Sequence, residues 1–177
     1  MRVTVFIATS VDGYIAREDG GLDWLPSATG ESHGYEELMA SVDALVMGRK
    51  TFETVLGFGQ WPYGEKRVVV LSSRDLGAVP EGAVVERLAG EPQEVVARLA
   101  ERGMQHVYLD GGETIRRFLR AGLVDRMILT RVPVLLGSGV PLFGGTGGDI
   151  RWKHVGTRAF PSGLVQSEYE VAESEGR

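Results

Sequence analysis

The feature that most constrains this chain is an alternation. Short, β-prone apolar runs give way to segments with apolar residues at helical spacing, and glycine sits at the joints. Val3, Val5, Phe6 and Ile7 mark a strand over 2–9, closed by the turn Ser10-Val11-Asp12-Gly13. Tyr35, Leu38, Met39 and Val42 predict a helix over 33–42, followed by a strand over 44–47 that Gly48 breaks. A helix over 51–56, a strand over 67–71 and a short strand over 83–86 come next. Pro92 suits a first helical turn, and Val95, Val96, Leu99 and Ala100 define a helix stopped by Gly103. A strand over 106–109 leads through Asp110-Gly111-Gly112 into a helix with Ile115, Phe118 and Leu119 on one face, closed by Gly122. A long apolar strand is expected over 126–136, with Pro133 inside it marking an edge or bulge. After a glycine-rich loop over 137–148, two alternating stretches over 152–160 and 164–171 fit an antiparallel pair joined by Pro161-Ser162-Gly163.

Such an order implies an α/β architecture: a mainly parallel central sheet with helices on both faces and an antiparallel C-terminal hairpin. With 177 residues, 43% of them hydrophobic, the expectation is a single domain over 1–172, with a disordered acidic tail over 173–177. The formal net charge of −5 and the scatter of basic residues speak against nucleic acid as a partner. Cysteine is absent, which removes disulfides, thiolate metal sites and a cysteine nucleophile, so redox chemistry needs a bound cofactor. His33, His106 and His154 lack ligand spacing, and no metal site is expected. The apolar N-terminus is too short for a signal peptide and no run reaches the roughly 20 residues of a membrane span, which points to a cytoplasmic protein without a membrane partner.

Neither GxxxxGK[ST] nor a GxGxxG between strand and helix occurs, so kinase and ordinary dinucleotide-fold readings lose support. Without a GxSxG elbow, a serine-hydrolase reading has none either. Two strand-to-helix junctions have the character of anion sites, Gly48-Arg49-Lys50-Thr51 and Gly111-Gly112-Glu113-Thr114. There glycine admits a phosphate to backbone N–H groups at the positive end of a helix, although at the first junction a turn with solvated Arg and Lys would look the same. Ser72-Ser73-Arg74 ends a strand with two hydroxyls and a cation, which suits a phosphate monoester or plain turn chemistry. Asp110 reads as an N-cap, or as an acid that would repel a pyrophosphate.

Several blocks occur in order: Ala8, Asp12-Gly13-Tyr14-Ile15-Ala16, Asp23-Trp24-Leu25, Val46-Met47-Gly48-Arg49-Lys50-Thr51-Phe52-Glu53 and Leu71-Ser72-Ser73-Arg74. Together they resemble the dihydrofolate reductase superfamily. Val107-Tyr108-Leu109-Asp110-Gly111-Gly112 and Val134-Leu135-Leu136-Gly137-Ser138-Gly139-Val140-Pro141-Leu142-Phe143 resemble its bacterial riboflavin-biosynthesis reductase branch, the RibD C-terminal domain. The resemblance spans nearly the whole chain and implies a dihydrofolate-reductase-like three-layer fold, NADPH as cofactor, a small-molecule substrate and a homodimer. It places Ala8 and Ile15 near the nicotinamide, Gly48, Arg49, Lys50 and Thr51 on the adenosine-side phosphates and Leu71 against adenine. It also places Ser72, Ser73 and Arg74 at the 2′-phosphate, with Gly111, Gly112, Glu113 and Thr114 along the pyrophosphate.

One departure concerns catalysis. Dihydrofolate reductases keep a carboxylate at the start of the first helix, and counting back from Met47-Gly48-Arg49 puts Ser32 there. Glu36, four residues on, is the favoured replacement, with Glu31 and His33 flanking the spot and Thr130 as a supporting hydroxyl. Asp12 is either a turn former or a substrate ligand. Residues 27–31 are an insertion that reshapes the pocket. The expected activity is hydride transfer from NADPH to a pterin-like, pyrimidine-like or ribosylamine substrate. The alternatives are a non-catalytic NADP- or pterin-binding module and a structural dimer formed through 132–136 and the glycine-rich loop.

Overall fold

β1 (Arg2–Ser10) is the pivot of an eight-stranded sheet, paired in parallel with β6 (His106–Asp110) on one side and β7 (Arg126–Val132) on the other. Beyond β6 the order continues through β3 (Ala44–Gly48), β4 (Arg67–Leu71) and β5 (Val85–Leu88), all parallel. Beyond β7 lie the antiparallel strands β10 (Val165–Val171) and β9 (Trp152–Ala159). This computed structural model describes residues 1–27 and 30–172, so the acidic tail over 173–177 and two residues of the 27–31 insertion lie outside the described residues.

Parallel strands buried on both faces are mainly apolar, and in β1, β3 and β4 Val3, Val5, Leu45, Val46, Met47, Val68, Val69 and Val70 are each at most 1% exposed, β1 also burying Thr4, Thr9 and Ser10. Successive residues serve opposite layers. Leu45, Met47, Val68, Val70 and Tyr108 pack with Leu38 of α1 (Tyr35–Ser41) and Phe52 of α2 (Arg49–Leu56). Val3, Val5, Val46, Val69, Val107 and Leu109 pack with Val95 and Leu99 of α3 (Pro92–Glu101) and Ile115, Phe118 and Leu119 of α4 (Gly112–Arg120). The result is the three-layer, dihydrofolate-reductase-like α/β fold.

Right-handed crossovers fix which helix lies on which face. From β3 the chain moves outward through α2 to β4, whereas from β6 it moves the other way through α4 to β7, so α2 and α4 leave on opposite faces. β3 and β6 are neighbours, and a crevice opens between their C-terminal ends where such a reversal occurs.

Five details depart from the sequence reading. The first helix starts at Tyr35 rather than residue 33, because Gly34 precedes it in a left-handed conformation (φ 83°). α2 starts at Arg49, directly after Gly48, and β5 lies two residues later than expected. β7 stops at Val132, so Pro133 terminates an interior strand and marks no edge; it has no N–H to extend the ladder. Finally, β2 (Tyr14–Ala16) and β8 (Val140–Pro141) form a separate antiparallel pair, held further by the Leu142 N–H donating to Gly13 O at 3.0 Å.

Candidate functional site

The two glycine junctions meet at the crevice. α2 begins after Gly48 and α4 after Gly111, and neither N-terminus has a side-chain cap. α3, by contrast, carries a full capping box in which the side chains of Glu91 and Glu94 satisfy each other's end of the first turn. Helix N-termini left open at a ligand crevice are what an anion requires. The glycines have a function the sequence reading did not see. A Cβ on Gly48 would lie 2.8 Å from Thr114 Oγ1, and one on Gly111, at φ 94°, would collide with Thr51 Oγ1. Each glycine admits the threonine of the opposite helix, so the two N-termini close on each other with Thr51 and Thr114 at the seam. Gly112 in turn is sealed by Ile15, whose Cδ1 stands 2.5 Å from the site of a Cβ.

Arg49, Leu71, Ser72, Ser73 and Arg74 line one cavity of ≈ 540 Å³ with residues 88–91, Glu94 and Arg117. Its floor is apolar at Leu71 and Leu88, and its rim carries the cations. Ser72 Oγ accepts the Arg74 N–H at 3.0 Å and donates to Arg74 O at 2.8 Å, which shapes the turn. Arg49 is braced by Glu53 at 2.7 Å and by Asp75 O at 2.7 Å. The acids on this rim are engaged elsewhere: Glu91 and Glu94 in the α3 cap, and Glu91 also with Arg117 at 3.2 Å. Lys50 and Glu113 are exposed on the first turns of α2 and α4, outside this cavity. α4 also sends Arg116 to Pro141 O, a contact sequence reasoning missed.

At the other end of the crevice stands Asp110, which the sequence left open between an N-cap and an acid that would repel a pyrophosphate. It ends β6 beside Met47, and its Oδ1 accepts the Gly111 N–H at 2.8 Å. Partly exposed by area yet crowded by protein, its carboxyl is pushed up to about 6 by desolvation, against the opposing pull of that N–H. Around it stand Tyr35, Tyr63 and Tyr108, all raised first by burial and then by the Asp110 charge.

Glu36 lies exposed on the first turn of α1. Because the helix starts at Tyr35, Ser32 and Glu36 share no helical face, which removes the geometric ground for choosing it. Tyr35 is the residue of that turn that reaches the sheet, 5.9 Å from the Phe6 ring. Thr130 is buried beside Ala8 and accepts a 2.9 Å hydrogen bond from Gln166 Nε2, which also donates to His33 O at 2.9 Å. Glu31 accepts from the Ser162 N–H and hydroxyl at 3.0 and 2.5 Å, fastening the same segment to the C-terminal hairpin. Asp12 is a turn former: its carboxylate accepts from Ser10 Oγ at 2.6 Å and from the Leu136 and Gly137 N–H groups at 3.1 and 2.8 Å. Those bonds hold its pKa below the usual range, the Ser10 hydroxyl contributing most.

Comparison with known proteins agrees with this geometry. The family described as RibD C-terminal domain matches residues 1–166. A solved structure of a Shewanella sp. PV-4 protein, assigned by name to riboflavin biosynthesis, superposes with a TM-score of 0.89 at 40% identity, covering 98% of this chain and 100% of that one. The Bacillus subtilis protein YwjB, itself uncharacterised, is 32% identical over 95% of this chain and 97% of its own length. Dihydrofolate reductase from Enterococcus faecalis, solved with NADP(H) and RAB-propyl, shares the fold with a TM-score of 0.65 at 19% identity, covering 97% of each chain.

Proposed function

The chain belongs to the RibD C-terminal domain family, and from that membership and the crevice geometry we propose that it is an NADPH-dependent reductase of a small heterocyclic or ribosylamine-type substrate. The observation that carries this reading is the pair of uncapped helix N-termini interlocked at the strand reversal, with the Arg49–Ser72–Arg74 rim at one end and Asp110 at the other.

The residues present fit the cofactor. Leu71 and Leu88 offer an apolar bed for adenine, Ser73 and Arg74 a charge-assisted site for a 2′-phosphate, and the N–H groups of the first turns of α2 and α4 a site for the pyrophosphate. Ala8 and Ile15 would flank the nicotinamide, which when bound supplies the hydride. What remains for the protein is the proton. Reducing a C=N or C=O bond adds a hydride to carbon and a proton to nitrogen or oxygen. The Asp110 carboxyl, with Oδ1 held by the Gly111 N–H, holds that proton at a pKa close to working pH. The reading as a non-catalytic binding module drew on the lack of an acid at Ser32, and Asp110 supplies one from a different strand.

Calorimetric titration tests the reading. NADPH is expected to bind at least tenfold more tightly than NADH, and Arg74→Ala to remove most of that preference, a loss of ~1–3 kcal/mol for a charge-assisted contact. Failure of both nucleotides to bind at millimolar concentration would overturn it.

A further inference from the structure

Gln166 fixes which way a buried hydroxyl points. Its Nε2 lies 2.9 Å from the backbone oxygen of His33 and 2.9 Å from Thr130 Oγ1. A carbonyl oxygen only accepts, so the Gln166 group that faces His33 is the NH2 and not the amide oxygen. One of its two hydrogens serves His33. An amide nitrogen does not accept, so the other hydrogen serves Thr130, whose oxygen is the acceptor in that bond. The Thr130 hydroxyl therefore keeps its own hydrogen to donate elsewhere. Thr130 is 6% exposed, and no described residue supplies an acceptor for that hydrogen. A buried donor left unpaired is costly, so an acceptor that the chain does not provide belongs opposite it.

The open side of Thr130 is the crevice. β1 lies in the middle of the sheet and buries Val3, Thr4, Val5, Thr9 and Ser10, yet Phe6, Ile7 and Ala8 between them are only half-buried. Thr130 is the pairing partner of Ala8. Met127 and Leu129 pack into the α3–α4 layer, as does Ile15, so by alternation Thr130 turns to the opposite face, which carries Phe6 and Tyr108. The Ile15 side of the crevice and the Thr130 hydroxyl are thus separated by the plane of the sheet, which gives the hydroxyl to the substrate rather than to the nicotinamide. Gln166 is held in turn. His33 rests edge-on against Phe160 at 4.5 Å, and Glu31 accepts from the Ser162 N–H and hydroxyl, so the carbonyl that orients the amide is fastened to the hairpin that carries it.

Resting on the reductase reading, we propose that Gln166 is a positioning residue: it polarises Thr130 into a hydrogen-bond donor for a carbonyl oxygen or an unprotonated ring nitrogen of the substrate.

Neutron diffraction from the intact protein exchanged into heavy water reads the polarity without any ligand. The Gln166 amide deuterons are expected on His33 O and Thr130 Oγ1, with the Thr130 deuteron turned away from Gln166 toward the opening at Ala8. A Thr130 deuteron directed at Gln166 overturns the proposal. Calorimetry reads its use, on the protein saturated with NADPH and again without it, with a dihydropterin and a ribosylaminopyrimidine as probes. Gln166→Glu keeps the shape but gives Thr130 an acceptor that draws its hydrogen away. This variant and Thr130→Val are each expected to weaken probe binding about tenfold, the double variant no more than either alone, with NADPH affinity changed less than about twofold. Thr130→Ser, which keeps the hydroxyl, is expected to bind as the wild type does. A packing role for Gln166 predicts additive losses instead, and additivity overturns the proposal. So does a loss that falls on NADPH and spares the probes, or failure of both probes to bind the NADPH-loaded protein. Coupled losses of probe binding in a protein that does not take up NADPH would sink the reductase reading and leave this one standing.

Discussion

Asp110 is held in a costly state, one that the proton transfer we propose for it requires. A carboxyl crowded by protein and raised to about 6 keeps its proton between roughly pH 4 and 6, where the same group in the unfolded chain, at 3.8, has lost it. Its contribution to stability is therefore undiminished below the unfolded value and declines as pH rises through the folded one, by about 2–3 kcal/mol when ionised. Asp110→Asn is expected to raise the melting temperature at pH 8 and to leave it nearly unchanged at pH 4. In turnover the sign reverses: the wild type loses rate above about pH 6 as the proton leaves, while the variant is slower by ~10²–10⁴ and lacks that limb. A variant that matched the wild type's pH–rate profile would remove Asp110 from the chemistry.

At the scale of elements, the seam between α2 and α4 depends on Gly111. Gly111→Ala imposes both an unfavourable φ of 94° and a collision with Thr51, whereas Gly122→Ala at φ 67° meets nothing. Denaturant unfolding should show a loss of ~2–4 kcal/mol for the first and ~1 kcal/mol for the second, and only the first should weaken NADPH by tenfold or more. These junctions were legible in the sequence because glycine between a buried strand and an amphipathic helix has few other uses. The strands of the sheet core were legible for a related reason, since runs such as Val68-Val69-Val70 suit nothing but a two-sided burial. β2 and β8 were not, as three and two residues are too few to show a period, and only their meeting across more than a hundred residues makes them strands. Nor was the role we propose for Asp110. An acid before two glycines has the local signature of a cap, and what changes it is Tyr108 two residues before it and Tyr35 and Tyr63, brought alongside from elsewhere in the chain.

For the molecule as a whole, His106 ties three elements at the end of the sheet opposite the crevice. Thr4 Oγ1 lies 2.8 Å from its Nε2 and Ser41 O 3.2 Å from its Nδ1, so the neutral ring accepts from β1 and donates to the end of α1. Burial lowers its pKa, with the backbone contact to Ser41 opposing. A depressed histidine contributes full stability above its unfolded value near 6.5 and loses it as pH falls below, the opposite slope to Asp110. Chemical unfolding from pH 7 to 5 is expected to show this acid slope, and His106→Gln to flatten it; an unchanged slope would assign the effect to other groups. The central position of β1 carries a further consequence. Val3 pairs with Val107 and Thr4 with Arg126, so β1, synthesised before both of its partners, has neither neighbour until those later strands exist. Loops of about a hundred residues must close before the middle of the sheet gains any bonding, which sets a slow, late and all-at-once assembly and leaves a bare, apolar strand open to other chains in the meantime.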